Sequence, residues 1–143
     1  MERPEGWRLI MQGLELCRTI LFVKDMAKMV EFYRDSLGLV ETSDHPTKDW
    51  TVLSAGSVQL ALHSVPEPWN EQIRITDPAT PRRSAATKLV FLVEGLEPAR
   101  EELLARKVHF DDNDNLNEPG QLVRIDFFDP EGNIIQLTTV SNA

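Results

Sequence analysis

Two short stretches of the chain set titratable and charged side chains at strand spacing. In Val58-Gln-Leu-Ala-Leu-His63 the apolar Val58, Leu60 and Leu62 alternate with Gln59, Ala61 and His63. A β-strand there buries the first set and turns an amide and an imidazole together to the opposite face. In Leu122 to Phe128, Val123, Ile125 and Phe127 alternate in the same way with Arg124 and Asp126. An imidazole titrates near neutral pH and a carboxylate can accept a proton, whereas a guanidinium can hold an anion or a developing oxyanion. His63 and Asp126 are therefore the candidate proton-transfer groups. Plainer readings stand beside these. Arg124 and Asp126, two apart on one face, can pair with each other, Arg18 can pair with Glu15, and a lone histidine at a strand end is more often a hydrogen-bonded structural residue. His45 and His109 fall at loop or strand-edge positions and add nothing.

Positioning such groups takes a folded core, and 143 residues with 41% apolar and 27% charged side chains are enough for one domain without disulfides or a structural metal. The net charge of -8 opposes binding to phosphate backbones, so no nucleic-acid partner is expected. No apolar stretch approaches the length needed to span a bilayer, and Met1 to Gly13, with Glu2 and Glu5, lacks the apolar segment of a signal peptide. The single cysteine, Cys17, reads as a small core residue, and with no internal disulfide and no Cys/His zinc spacing the expected compartment is the cytoplasm. The acidic run Asp111-Asp-Asn-Asp-Asn115 reads as a solvated loop, since it lacks the spaced ligand series that calcium requires.

The elements come from an internal repeat. Arg18-Thr-Ile-Leu-Phe-Val-Lys-Asp-Met26 reads as a strand running into a turn where Asp25 caps a helix over about Ala27 to Leu37, which Gly38 stops. Seventy residues on (88 − 18), Lys88-Leu-Val-Phe-Leu-Val-Glu-Gly-Leu96 repeats the strand and turn, followed by a helix over about Glu97 to Lys107. Strand-like segments then follow each helix: Leu39 to Thr42, Trp50 to Ser54 and Ser57 to His63 in the first half, and Val108 to Phe110, Leu122 to Phe128 and Asn133 to Thr139 in the second. The order is βαβββ twice, an α+β pattern with one helix over each sheet. Residues 1–14 form an N-terminal extension and 15–141 one domain, with module one at about 16–63, a Pro-rich crossing segment or lid at 64–87, and module two at about 88–140.

The stretches Phe22-Val-Lys-Asp25, Phe32-Tyr-Arg-Asp-Ser-Leu-Gly38 and Phe128-Asp-Pro-Glu-Gly-Asn-Ile-Ile-Gln-Leu137 resemble the vicinal-oxygen-chelate superfamily, which joins glyoxalases, bleomycin resistance proteins and extradiol dioxygenases. The resemblance runs from about Leu16 to Val140. It implies two modules set edge to edge, their sheets curling into a glyoxalase/bleomycin-resistance/dioxygenase-like cup, usually in a homodimer. It also implies four ligand positions for a divalent metal, on the first and last strand of each module. Here those positions fall on Arg18, Gln59, Lys88 and Gln136, and a slip of register would put Ala61 in place of Gln59. A guanidinium offers no lone pair, an ammonium must lose its proton to ligate, and two neutral amides supply no charge. Neither a metal nor another cofactor is therefore expected.

By alternation the cup would hold Arg18, Lys88 and Arg124 against Asp126, with Gln59, His63 and Gln136, and with Ile20, Phe22, Val90 and Trp50 as apolar wall. Two cations converging on one cavity call for an anion between them. The leading expectation is a metal-free module that binds a small organic ligand, anionic or strongly polar. The alternative is an enzyme of the superfamily, a lyase, isomerase or dioxygenase, either metal-dependent or using His63 or Asp126 for proton transfer.

Overall fold

Strand β1 (Arg18–Val23) alternates exposed and half-buried side chains, and it hands over at Lys24 to a turn in which Asp25 caps a helix, its carboxylate accepting from the Lys28 amide at 3.1 Å. The structure, a computed structural model, describes residues 13–111, 116–117 and 121–140. The first helix begins as α1 (Met26–Val30) and widens into a π-helical turn over Glu31–Ser36, so the single α-helix expected there is two kinds of helix. The Leu37 amide reaches back five residues to the Phe32 carbonyl at 3.0 Å, and Gly38, at φ +81°, ends the element. Strands β2 (Val40–Glu41), β3 (Trp50–Ala55) and β4 (Val58–Ser64) complete the first module. Its sheet runs β1-β4-β3-β2, with β1 parallel to β4.

The second module repeats this order with β5 (Leu89–Leu92), α2 (Leu96–Ala105), β6 (His109–Phe110), β9 (Ile125–Phe128) and β10 (Ile134–Thr138), in a sheet ordered β5-β10-β9-β6. The strand expected over Leu122 to Phe128 is interrupted. Gln121–Leu122 (β8) pairs with Leu116–Asn117 (β7) in a separate ribbon, and the sheet strand begins only at Ile125, which leaves Arg124 at its entrance. Helix α2 ends with Lys107 at φ 59°, the Val108 amide closing on the Leu103 carbonyl at 3.1 Å. Glycine usually takes that left-handed position, and a side chain there costs roughly 1–2 kcal/mol.

One core serves both modules. Met29, Leu53, Leu60 and Leu62 of the first belong to the same buried cluster as Leu103, Ile125, Phe127 and Ile135 of the second. The Phe32 and Phe127 rings lie 6.3 Å apart across the junction. Each sheet thus turns one face to the shared core and leaves the other open. On the open faces Ile20 (44%), Phe22 (57%), Val90 (53%) and Leu92 (59%) stay exposed on β1 and β5, both of them edge strands.

Residues 64–87 cross between the modules with a short 3-10 turn at Trp69–Gln72 and are strapped down at their far end. The Arg82 amide donates to the Gly132 carbonyl at 2.7 Å, and Gly132, at φ +85°, lies so close under Thr80 that a β-carbon there would collide with the Thr80 backbone. Two expectations fail locally. Cys17 is exposed, immediately before β1 and outside the buried core. Asp111, at the head of the acidic run, is buried and takes both guanidinium nitrogens of Arg83 at 2.8 and 3.1 Å, while residues 112–115 lie outside the described residues. Of the N-terminal extension only residues 13 and 14 are described.

Candidate functional site

On the open face of the first sheet, register places Phe22 beside His63 and His63 beside Trp50, so three rings cross three adjacent strands in one row. The His63 ring lies 5.7 Å from Phe22 and 5.6 Å from Trp50, edge-on to the latter. Arg18 reaches this row from the far end of β1. Its guanidinium donates to Gln59 Oε1 at 2.7 and 3.1 Å and lies over the Trp50 ring at 5.6 Å. Among the described residues no carboxylate lies within ion-pair distance of Arg18. The cation is oriented by a neutral amide and a ring, and its charge stays available to a ligand.

The second open face is arranged differently. Lys88 Nζ donates to Asp126 Oδ1 and to Gln136 Oε1, both at 3.3 Å, and Arg124 Nε lies 3.7 Å from Asp126 Oδ2. Asp126 is buried, so its carboxylate is the anion that the two cations need. Among the described residues no hydrogen bond or ion pair joins Arg18 or Gln59 to Lys88 or Gln136. The site residues read from sequence fall into two groups on two faces.

Register also separates the two glutamines. Asp25 and Gly95 are the helix N-caps and stand 70 apart (95 − 25), the same offset as Arg18 and Lys88 (88 − 18). With that alignment Gln136, beside Val90, corresponds to Ala61, beside Ile20. Gln59, beside Arg18, therefore has no counterpart in Gln136. The four side chains also do not suit a divalent metal. One cation is bonded to Gln59 and the other to Asp126 and Gln136, and their amide oxygens are neutral. Among the described residues no group of three His, Cys, Asp or Glu side chains is placed to hold a metal.

Sequence reasoning missed the acids that tie the modules together. Tyr33 donates to Asp129 Oδ2 at 2.6 Å, and the same carboxylate accepts from the amides of Glu131 and Asn133 and from the Asn133 side chain. Burial, and then the Asp129 charge, push the Tyr33 phenol well above its ordinary value. Burial also raises the Asp129 carboxyl in spite of these bonds. Glu131 accepts from the backbone amides of Lys24 and Asp25 at 2.7 to 2.9 Å, and burial again outweighs those bonds and raises it. The Asp-Pro-Glu-Gly turn signalled a hairpin in the sequence, but nothing there signalled that its acids reach the other module.

Solved structures share this architecture. A protein of unknown function from Agrobacterium tumefaciens str. C58 is 26% identical, with 92% of this chain and 98% of that one covered and a TM-score of 0.62. A lactoylglutathione lyase from Agrobacterium tumefaciens is 18% identical (90% and 96% covered, TM-score 0.63), and the antibiotic binding protein TnmS3 from Streptomyces sp. CB03234 is 21% identical (90% and 98%, TM-score 0.64). At the latter two identities the likeness concerns the fold alone. No curated protein matches the sequence. The family model described as the Glyoxalase/Bleomycin resistance protein/Dioxygenase superfamily matches residues 15–137, both βαβββ modules and the turns between them, and the chain belongs to that superfamily.

Proposed function

We propose that the chain is a metal-free member of the superfamily that binds a small organic ligand with a flat apolar body and an anionic or strongly polar group. The body lies against Phe22, His63 and Trp50, and the charged end meets Arg18. The carrying observation is that Arg18 rests on neutral Gln59 and on the Trp50 ring, with no carboxylate in reach among the described residues. The open face of the second module, where Lys88 and Arg124 are held on Asp126, closes the other side of the cup when two chains associate. β1 and β5 are edge strands with exposed apolar faces, which a second copy covers by bringing the first module of one chain against the second module of the other. The antibiotic binding protein among the similar folds fits this reading. The overall charge of -8 opposes anions at long range, but screening beyond about 8 Å leaves the local cation dominant.

The test is a titration with aromatic carboxylates followed at the Trp50 indole N–H resonance. Saturable shifts that Arg18→Met weakens about tenfold support the reading. About one equivalent of Ni, Zn, Mn or Fe per chain, lost on mutating Gln59 or Gln136, contradicts it. Light scattering should return twice the 16.3 kDa chain mass. One observation favours the enzymatic alternative: the His63 imidazole has no hydrogen-bond partner among the described residues and so is free to move a proton. Asp126, in contrast, is engaged by Lys88 and Arg124.

A further inference from the structure

A cavity of about 330 Å³ lies where the first helix, the crossing segment and the end of α2 meet, and none of its lining residues belongs to the Arg18, Phe22, Trp50, Gln59 and His63 group. Its volume lies near the lower end of small-molecule sites, roughly 300–1,000 Å³, and suits a ligand of one or two rings. Phe32, Ile75, Pro78, Val108 and Phe128 give it an apolar lining. The His109 ring stacks on Phe128 at 5.8 Å and 15°, which extends the lining into a flat aromatic surface.

The charges around this surface are unevenly committed. Asp129 and Glu131 border the cavity, but their oxygens are occupied by Tyr33 and by backbone amides, and Asp25 caps the first helix. Arg106 is tied to the Ser36 carbonyl at 2.6 Å and lies 3.6 Å from Glu102. Lys28 and Lys107 also line the cavity, and among the described residues neither ammonium has a hydrogen-bond or ion-pair partner. Asp77 is the remaining acid of the lining, in the crossing segment.

Two irregular stretches of backbone shape the walls. The π-helical turn supplies Phe32 and Ser36, and Lys107 lines the cavity from a left-handed conformation at φ 59° that glycine would adopt without strain. We propose that this cavity is a second ligand site, which takes a small planar organic anion with its ring on Phe128 and His109 and its carboxylate between Lys28 and Lys107.

The site is separate from the Arg18 face, and the two can be tested apart by titrating 2-naphthoate into the isotope-labelled full chain and following backbone amide shifts. Saturable shifts at Val108, His109 and Phe128 are expected. Lys28→Gln and Lys107→Gly should each weaken them about tenfold, while Arg18→Met leaves them unchanged. Lys107→Gly should also raise the melting temperature, which shows that its loss of binding is not a loss of fold. Shifts absent from these amides, unchanged in both lysine variants, or lost only in Arg18→Met would overturn the proposal.

Discussion

The two modules share an element order and place a basic residue at the start of the first strand, yet they treat that charge in opposite ways. In module two Lys88 is fixed to buried Asp126, and in module one Arg18 is bonded, among the described residues, to neutral Gln59 and lies over Trp50. The difference extends beyond one pair. All the buried carboxylates among the described residues, Asp111, Asp126, Asp129 and Glu131, lie after the crossing segment. A repeated backbone therefore does not carry repeated electrostatics. Charge in the second half is paired within the fold, and in the proposed function the Arg18 charge of the first half faces the ligand.

Removing the deepest acid should have the largest effect. Asp129→Ala leaves the Tyr33 hydroxyl and two backbone amides without their acceptor, so a loss of about 3 kcal/mol or more is expected in denaturant unfolding. A loss under about 1 kcal/mol would mean that water replaces the carboxylate and that the junction is not dry.

Lys88→Met should cost less, about 1–2 kcal/mol. The 3–5 kcal/mol typical of a broken buried pair is reduced because the Lys88 side chain is 38% exposed and Arg124 still faces Asp126. Arg18→Met, the matching change in module one, should leave stability without measurable change. Equal losses in the two variants would erase the proposed contrast.

A smaller effect follows from pH. The folded-state carboxyls of Asp129 and Glu131 are raised by burial, so the folded chain holds these protons more tightly than the unfolded chain does. The stabilising contribution is then fully present below the ordinary carboxylate range and is lost as pH rises through the raised folded values. Between pH 7 and pH 4.5 the melting temperature of wild type should accordingly gain on that of Glu131→Gln. A gap that is constant, or that moves the other way, would show that Glu131 is not strained by its charge at neutral pH.

The fold was legible because its signals are local and repeated: strand alternation, a capping Asp25, Gly38 after the helix, and the Asp-Pro-Glu-Gly turn. The site was legible only as a set of strand faces. Alternation put Gln59 and His63 on one side of the first sheet and Arg124 with Asp126 on one side of the second, but it could not show how those two sides are placed relative to each other. Nor could it fix strand register, which aligns Gln136 with Ala61 in place of Gln59. The pairing of Lys88 with Asp126 spans 38 residues, and that of Tyr33 with Asp129 spans 96. Such contacts depend on how the sheets are placed, and spacing along the chain carries no trace of them. From sequence His109 is a plain strand-edge residue, and its stacking on the Phe128 ring depends on the pairing of β6 with β9.

The central claim, that Arg18 serves a ligand while Lys88 serves the fold, is tested most directly by binding one aromatic carboxylate to Arg18→Met and Lys88→Met chains with the Trp50 indole resonance as the readout. The account predicts about a tenfold or greater loss of affinity in Arg18→Met at an unchanged melting temperature, and near wild-type affinity in Lys88→Met at a lowered one. Affinity that falls in Lys88→Met and persists in Arg18→Met would contradict it.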